Sequence, residues 1–298
     1  MIVEKSHIVN SIQNKIRFID YTINLFDSIP TRSGVKKAIK KRRFLLNNVV
    51  ANTGDWINNG DVIDLLLDDS KNPKQFILDV PIIYEDEFLA VVNKPSGIVV
   101  SGNQFNTLEN AMVDMFNLSS DPTAYGWAKP VHRLDSATSG LVLFAKSSKD
   151  HALLNEMFKQ KLFEKEYIAI LQGALSDHVI VKNEIDGKAA QTELTTIKRI
   201  KSLQNDFISI VRVKPVTGRT HQIRIHTSQL GHPIIGDTIY GVNGNVLKHK
   251  GLFLCANRLK FNHPRTKEVI DISIELPNKF KALIDREERR WLKFNPND

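Results

Sequence analysis

The most constraining feature of this chain is the run of sixteen residues Val131-His132-Arg133-Leu134-Asp135-Ser136-Ala137-Thr138-Ser139-Gly140-Leu141-Val142-Leu143-Phe144-Ala145-Lys146. Residues 136–140 are small or polar turn formers, and 141–145 are an apolar run of strand length. Arg133 and Asp135 stand just ahead of that turn. A carboxylate at a strand entrance is fixed by backbone on one side and open to a ligand on the other. An isolated Arg-x-Asp is usually a structural pair capping a turn, so the reading needs support from the rest of the chain.

The bulk numbers allow many partners. With 298 residues, the chain can form one large domain plus a small one. Hydrophobic residues make up 42% and charged residues 25%, an ordinary globular balance. A formal charge of +8 leans towards an anionic partner. The single cysteine, Cys255, rules out an intrachain disulfide, and its apolar neighbours predict a small buried core residue. No apolar stretch approaches the roughly 20 residues of a membrane helix, and Met1-Ile2-Val3-Glu4-Lys5 lacks a signal-peptide layout. A soluble cytoplasmic protein without a membrane partner is the expectation, with a monomer as the default state.

A polar seam, Asp68-Asp69-Ser70-Lys71-Asn72-Pro73-Lys74, predicts a boundary between domains at 1–70 and 75–298. Before it, Phe18, Ile19, Thr22, Ile23 and Phe26 recur at helical spacing, and Pro30 ends that helix. A second helix over about 33–41, capped by Thr31 or Ser33, carries Lys36, Lys37, Lys40 and Lys41 and runs into Arg42 and Arg43. Such clusters commonly form a solvated face, but this one has few interleaved acids, and phosphate contacts would make binding salt-dependent. Asn47-Asn48 reads as a hairpin turn between 44 and 50, and Gly60-Asp61 precedes a strand over 62–67. The order resembles the S4 RNA-binding fold over about 16–66. The words that carry it are Arg17-Phe18-Ile19-Asp20, Leu45-Leu46-Asn47-Asn48-Val49-Val50-Ala51 and Gly60-Asp61-Val62-Ile63.

Beyond the seam, Leu89-Ala90-Val91-Val92-Asn93-Lys94 reads as a strand, and further strands are predicted near 166–171, 191–199, 207–215 and 251–261. Helices are expected from Thr107, after Asp150 and over 220–230, the last ending at Gly231. This is an α+β pattern, a mixed and largely antiparallel sheet with flanking helices, rather than a regular βαβ series. No phosphate loop or G-x-G-x-x-G is present, so no nucleotide cofactor is indicated. His221, His226 and His232 lack cysteine and carboxylate partners at ligand spacing, so no metal is predicted.

Four ordered segments share one resemblance: Asn93-Lys94-Pro95-Ser96-Gly97, the opening run around Asp135, Lys165-Glu166-Tyr167, and Gly218-Arg219-Thr220-His221-Gln222-Ile223-Arg224-Ile225-His226. The last is continued by Gly231-His232-Pro233-Ile234-Ile235-Gly236-Asp237 and Tyr240-Gly241. Together they resemble the RluA-type RNA pseudouridine synthases over about 78–275. The resemblance implies that Asp135 is the catalytic aspartate, attacking ribose C1′ or removing a proton from C2′; the residues leave both open. It implies that Tyr167 stacks on the target base and helps deprotonate C5 at the end, and that Arg219 pairs with Asp135 and holds it ionised. Arg133 and Leu134 are expected to fill the stack left by the extruded base. His132 is expected to be structural or to contact phosphate.

The implied substrate is structured RNA, with ribosomal RNA favoured and transfer RNA open. The chemistry needs a carboxylate and no redox group or metal. Two other classes are kept: an S4-bearing RNA-binding protein without turnover, and a glycosidic-bond hydrolase, which would want a second acid as distinctive as Asp135. The tail Arg286-Glu287-Glu288-Arg289-Arg290-Trp291-Leu292 predicts a charged helix docked by Trp291.

Overall fold

The computed structural model describes residues 3–66, 75–241 and 250–295. The chain divides into two compact units, Met1–Pro73 and Lys74–Asp298. The polar seam at 68–74 lies outside the described residues.

The first unit runs β1 (Val3–Ile8), β2 (Ile16–Arg17), α1 (Phe18–Tyr21), α2 (Arg32–Lys40), β3 (Phe44–Leu46), β4 (Val49–Val50), β5 (Trp56–Ile57) and β6 (Val62–Leu66). Its main sheet has the order β1-β6-β3-β4, and β2 pairs with β5. Asn47 and Asn48 make the β3–β4 turn with φ of 50° and 66°, as a two-residue hairpin with both central residues left-handed requires. The Asn47 side chain then locks the turn to β6, accepting the Val62 N–H at 2.8 Å and donating to Asp61 at 2.9 Å. Thr31 caps α2 by accepting the Gly34 N–H at 3.1 Å, and Val35, Ala38 and Ile39 face the core.

The helix expected across Phe18 to Phe26 is a single turn. Thr22 bonds back to the Phe18 carbonyl at 2.8 Å, and Asn24 takes a φ of 59° that no α-helix can continue through. The apolar residues are buried all the same, by a series of turns.

The second unit follows the order β7 (Ile82–Glu85), β8 (Leu89–Lys94), α3 (Leu108–Ala111), β9 (Ala124–Pro130), β10 (Ser139–Ser147), α4 (Ser148–Lys159) and β11 (Glu164–Gln172). It continues through β12 (His178–Val181), β13 (Thr192–Ser202), β14 (Asp206–Pro215), α5 (Gln222–Gln229), β15 (Leu254–Asn262), β16 (Val269–Ser273) and α6 (Asn278–Phe294). One sheet has the order β12-β13-β14-β11-β15-β10-β8-β7, with β16 joined to β15 and β9 to β10. All its strand pairs are antiparallel except β10 with β15. Gly140 makes that exception possible. Its φ is +119°, and a Cβ there would sit 2.2 Å from the Ala256 carbonyl oxygen. Every residue of β10 is buried, which explains the near-continuous apolar run in its sequence.

Thr107 caps α3 as expected, accepting the Asn110 N–H at 3.0 Å. The C-terminal helix α6 docks through more than Trp291. Phe280 and Leu283 enter the core, and Ser202 donates to the buried Glu287 at 2.8 Å. Trp291 is half-buried, with the Lys201 ammonium 5.1 Å from its ring. Among the described residues no helix is long and apolar enough to cross a membrane.

Candidate active site

Asp135 lies in the turn between β9 and β10, and the main chain holds that turn. The Thr138 N–H donates to the Asp135 carbonyl at 3.0 Å, and the Gly97 N–H donates to the Ser136 carbonyl at 2.7 Å. Lys94, fully buried at the end of β8, adds a staple. Its ammonium donates to the carbonyls of Pro95 and Ile98 at 2.9 Å and of Ser136 at 3.2 Å. Burial pushes this amine down to about 8, against the pull of the Asp135 charge. The Lys-Pro-Ser-Gly segment thus fixes the Asp135 turn from behind.

The carboxylate faces a cavity of about 330 Å³, whose walls include Arg133, Tyr167, Arg219, His221 and Arg224. Tyr167 reaches it from β11 and packs between two apolar clusters. Burial, and secondarily the Asp135 charge, pushes its phenol well above the ordinary value, so the ring is a neutral wall with an O–H tip. Lys165, two residues earlier on β11, lines the same cavity. A second, open cavity of about 670 Å³ is lined by Lys165 and Arg219 together with Lys159, Lys161, Lys214 and Arg258, with Glu164, Glu166 and Glu193 among them.

The positive partner of Asp135 is not the one expected. Arg224 Nη1 lies 3.7 Å from Asp135 Oδ2, and His221 Nε2 lies 3.8 Å from Oδ1. Arg219 is exposed at the cavity wall, where its Nε donates to the Ala189 carbonyl at 3.1 Å. The helical turn explains the exchange. Residues of α5 from Gln222 onward face inward, with Gln222, Ile223, Arg224, His226 and Thr227 buried, while Arg219 precedes the helix. Arg224 is gripped by Asp237 through two bonds, Nε to Oδ2 at 2.7 Å and Nη2 to Oδ1 at 2.8 Å. That fork leaves Nη1 for Asp135. Asp237 also accepts the N–H groups of Ile239 and Tyr240, at 2.9 and 3.0 Å. Gln222 accepts the Arg219 N–H at 3.0 Å and the Thr217 hydroxyl at 2.6 Å, closing the turn into α5.

A carboxylate, an arginine and a tyrosine thus meet in one cavity beside one largely antiparallel sheet. The family model described as RNA pseudouridylate synthase matches residues 88–229. The ribosomal large subunit pseudouridine synthase C of Salmonella typhimurium is 36% identical over 232 residues, 68% of each chain. The chain belongs to the RNA pseudouridine synthase family. The tRNA pseudouridine synthase C of Haemophilus influenzae is 34% identical, over 69% of this chain and 96% of that one. The structure of human RNA pseudouridylate synthase domain containing 1 matches with a TM-score of 0.55 at 26% identity, over 67% of this chain and 84% of that one.

The remaining expected residues of this pseudouridine synthase divide. Arg133 is exposed on the cavity wall. Leu134 is 6% exposed, packs in an apolar cluster and lines the cavity from there. His132 accepts the Leu143 N–H at its Nε2, 3.1 Å away, and burial pushes its ring down to about 4. A neutral imidazole tied to β10 gives it the structural role rather than a charge for phosphate.

In the first unit, Lys36, Lys37, Lys40, Lys41 and Arg42 are exposed. Arg43 is engaged inward, with its Nε donating to the Leu66 carbonyl and its Nη2 to Glu4, both at 2.9 Å. The histidines weighed as metal ligands have other partners as well. His226 sits between Thr192 at 2.8 Å and the Asn183 carbonyl at 3.0 Å, and His232 contacts the Gln172 carbonyl at 2.8 Å. Reading the sequence missed the site roles of Arg224, Asp237, Tyr240 and Lys94. All four stand inside the quoted words, and a buried arginine's need for an acid is the signal that pairs Arg224 with Asp237.

Proposed function

We propose that this synthase isomerises uridines of ribosomal RNA, with Asp135 as the carboxylate that attacks ribose C1′ or removes the C2′ proton. The observation that carries the reading is the convergence of Asp135, Tyr167 and Arg224 on one cavity of about 330 Å³. The reaction breaks the C1′–N1 bond, turns the uracil and rejoins it through C5, so charge develops on ribose and base without net redox change. Arg224, held by Asp237, supplies the opposite charge beside the carboxylate. Tyr167 supplies an apolar face for the flipped base, and its raised phenol suits an O–H donor better than a phenolate base. Arg219 takes an RNA contact at the wall in place of the role first expected of it, and Arg133 stands where it can enter the vacated stack. Lys159, Lys161 and Lys214 in the adjoining cavity suit the phosphate backbone.

The first unit is read as an S4-like RNA-binding domain. Two helical elements, a tight hairpin and a Gly-Asp strand entrance occur in that order. Lys36, Lys37, Lys40, Lys41 and Arg42 are its phosphate contacts. Ribosomal RNA is favoured by proportion. The ribosomal relative, like this chain, has length outside the match, whereas the transfer RNA relative is matched almost throughout.

The test is pseudouridine mapping at nucleotide resolution in total RNA from cells lacking the protein, complemented with wild type or Asp135→Asn. The expected result is one or more ribosomal uridines modified with wild type alone, Asp135→Asn being slower by more than about 10³-fold. Sites confined to transfer RNA would overturn the substrate assignment, and full activity of Asp135→Asn would overturn the mechanism.

A further inference from the structure

Asp135 meets a nitrogen-bearing side chain on each of its oxygens, Arg224 on Oδ2 and His221 on Oδ1. The grip of Asp237 explains where Arg224 stands. His221 has no such explanation, and its backbone is the less comfortable of the two. It precedes α5 at φ 53° and ψ 19°, in the left-handed region that side chains with a Cβ enter rarely. Residues held there against their preference concentrate at functional sites.

What holds His221 is Tyr240. Its hydroxyl lies 3.0 Å from His221 Nδ1, with the two rings edge-on at 78°. Tyr240 is anchored in turn by its main chain, donating its N–H to Asp237 at 3.0 Å and accepting the Ser228 hydroxyl at 2.9 Å. The direction of this bond follows the ring tautomer: with the hydroxyl as donor to Nδ1, the ring proton sits on Nε2, the nitrogen nearer Asp135.

We infer that His221, oriented by the Tyr240 hydroxyl, is a positioning residue that fixes the rotation of the Asp135 carboxylate. The inference rests on the reading of Asp135 as the reacting group. Arg224 alone, on one oxygen at 3.7 Å, leaves the carboxylate free to turn about its Cβ–Cγ bond. At 3.8 Å from the other oxygen, His221 Nε2 stands just beyond hydrogen-bond distance, and a small turn of the carboxylate brings the two into contact, so a second polar group on that side opposes the rotation. Misplacement of a reacting group by a fraction of its length is enough to slow chemistry greatly.

The test uses the purified full chain, single-turnover pseudouridine formation on an RNA carrying its mapped uridine, and filter binding of the same RNA. His221→Asn keeps a residue that tolerates the left-handed backbone but removes the reach of Nε2. It is expected to slow the single-turnover rate about a hundredfold with RNA affinity unchanged. His221→Gln, whose amide extends towards the Nε2 position, recovers part of that loss. Tyr240→Phe is expected to lose about tenfold, as for one hydrogen bond. In the His221→Asn background it loses nothing more, because it acts through His221.

A full rate in His221→Asn, a Tyr240→Phe loss that adds fully in the double variant, or a loss confined to RNA affinity overturns the inference. Should His221→Asn fail to fold, Tyr240→Phe decides alone, an unchanged rate being the overturning result. Asp135→Asn is run alongside. Its full activity would sink the reading of Asp135 and this inference together, whereas a dead Asp135→Asn beside a fully active His221→Asn sinks the inference only.

Discussion

The two walls of the cavity are built by different means. The Asp135 turn is held by main-chain groups: Thr138 and Gly97 amides, the Asp135 and Ser136 carbonyls, and a lysine that donates to backbone alone. The entrance to α5 is held by buried side chains, with Arg224 forked onto Asp237 and Gln222 closing the turn from within. Backbone anchoring needs neighbours in sequence and a few glycines. Side-chain anchoring needs partners folded in from elsewhere, and it fails abruptly when one partner is lost. The first wall therefore tolerates exchanges of exposed side chains, and the second hardly any of its buried ones.

Removing the acid from the second wall is the strongest way to break that contrast. Asp237→Ala removes the bidentate partner of the 4%-exposed Arg224, leaving only the Asp135 contact at 3.7 Å, and should destabilise the fold by roughly 3–5 kcal/mol, read by denaturant unfolding. A loss below about 1 kcal/mol, the worth of an exposed pair, would mean that the α5 wall does not depend on the fork.

The matching change on the first wall is Gly140→Ala. The added methyl meets the Ala256 backbone at a φ of +119°, and an expected loss of about 1–3 kcal/mol should appear as a lower melting temperature. An unchanged melting temperature would mean that the close approach of β10 to β15 places no demand on Gly140.

Lys94 sharpens the comparison, because it is the one side-chain staple described for the backbone-held wall. Its amine falls from 10.5 to about 8 on folding. Between these values the unfolded chain holds the proton and the folded chain has released it, so stability from this group rises with pH across the window. Below about 8 both states are charged and the burial penalty is fully present. Lys94→Met should flatten the rise between pH 8 and 10.5 in unfolding titrations, and an unaltered slope would contradict the burial argument.

The same contrast explains what could be read from residues alone. The Asp135 turn, the strand after it, the Asn47-Asn48 hairpin and the Thr107 cap are contiguous signals, and each stands where its words place it. The α5 wall is a long-range construction. Arg219 is the first arginine of its segment and the expected partner of Asp135, but helical geometry turns Arg224 inward, and its acid lies thirteen residues on. Strand β1 carried no signal because it is mostly exposed and lacks alternation. The short α1 misled because apolar spacing of 3.6 also suits a chain of turns that buries the same side chains. His132 and Arg43 look like free cations in sequence, and both are tied to the backbone.

The protein also carries its own clock for opening. Cys255, the single cysteine, sits fully buried on β15, paired in register with Ser139 on one side and Ile168 on the other. Burial raises its thiol, so a thiol reagent has neither access nor thiolate while the sheet is closed. Labelling therefore times the opening of the sheet and core around β15, whose neighbour β10 begins four residues after Asp135. Bound RNA that steadies the cavity should be legible as a slower reaction at a sulfur it never touches.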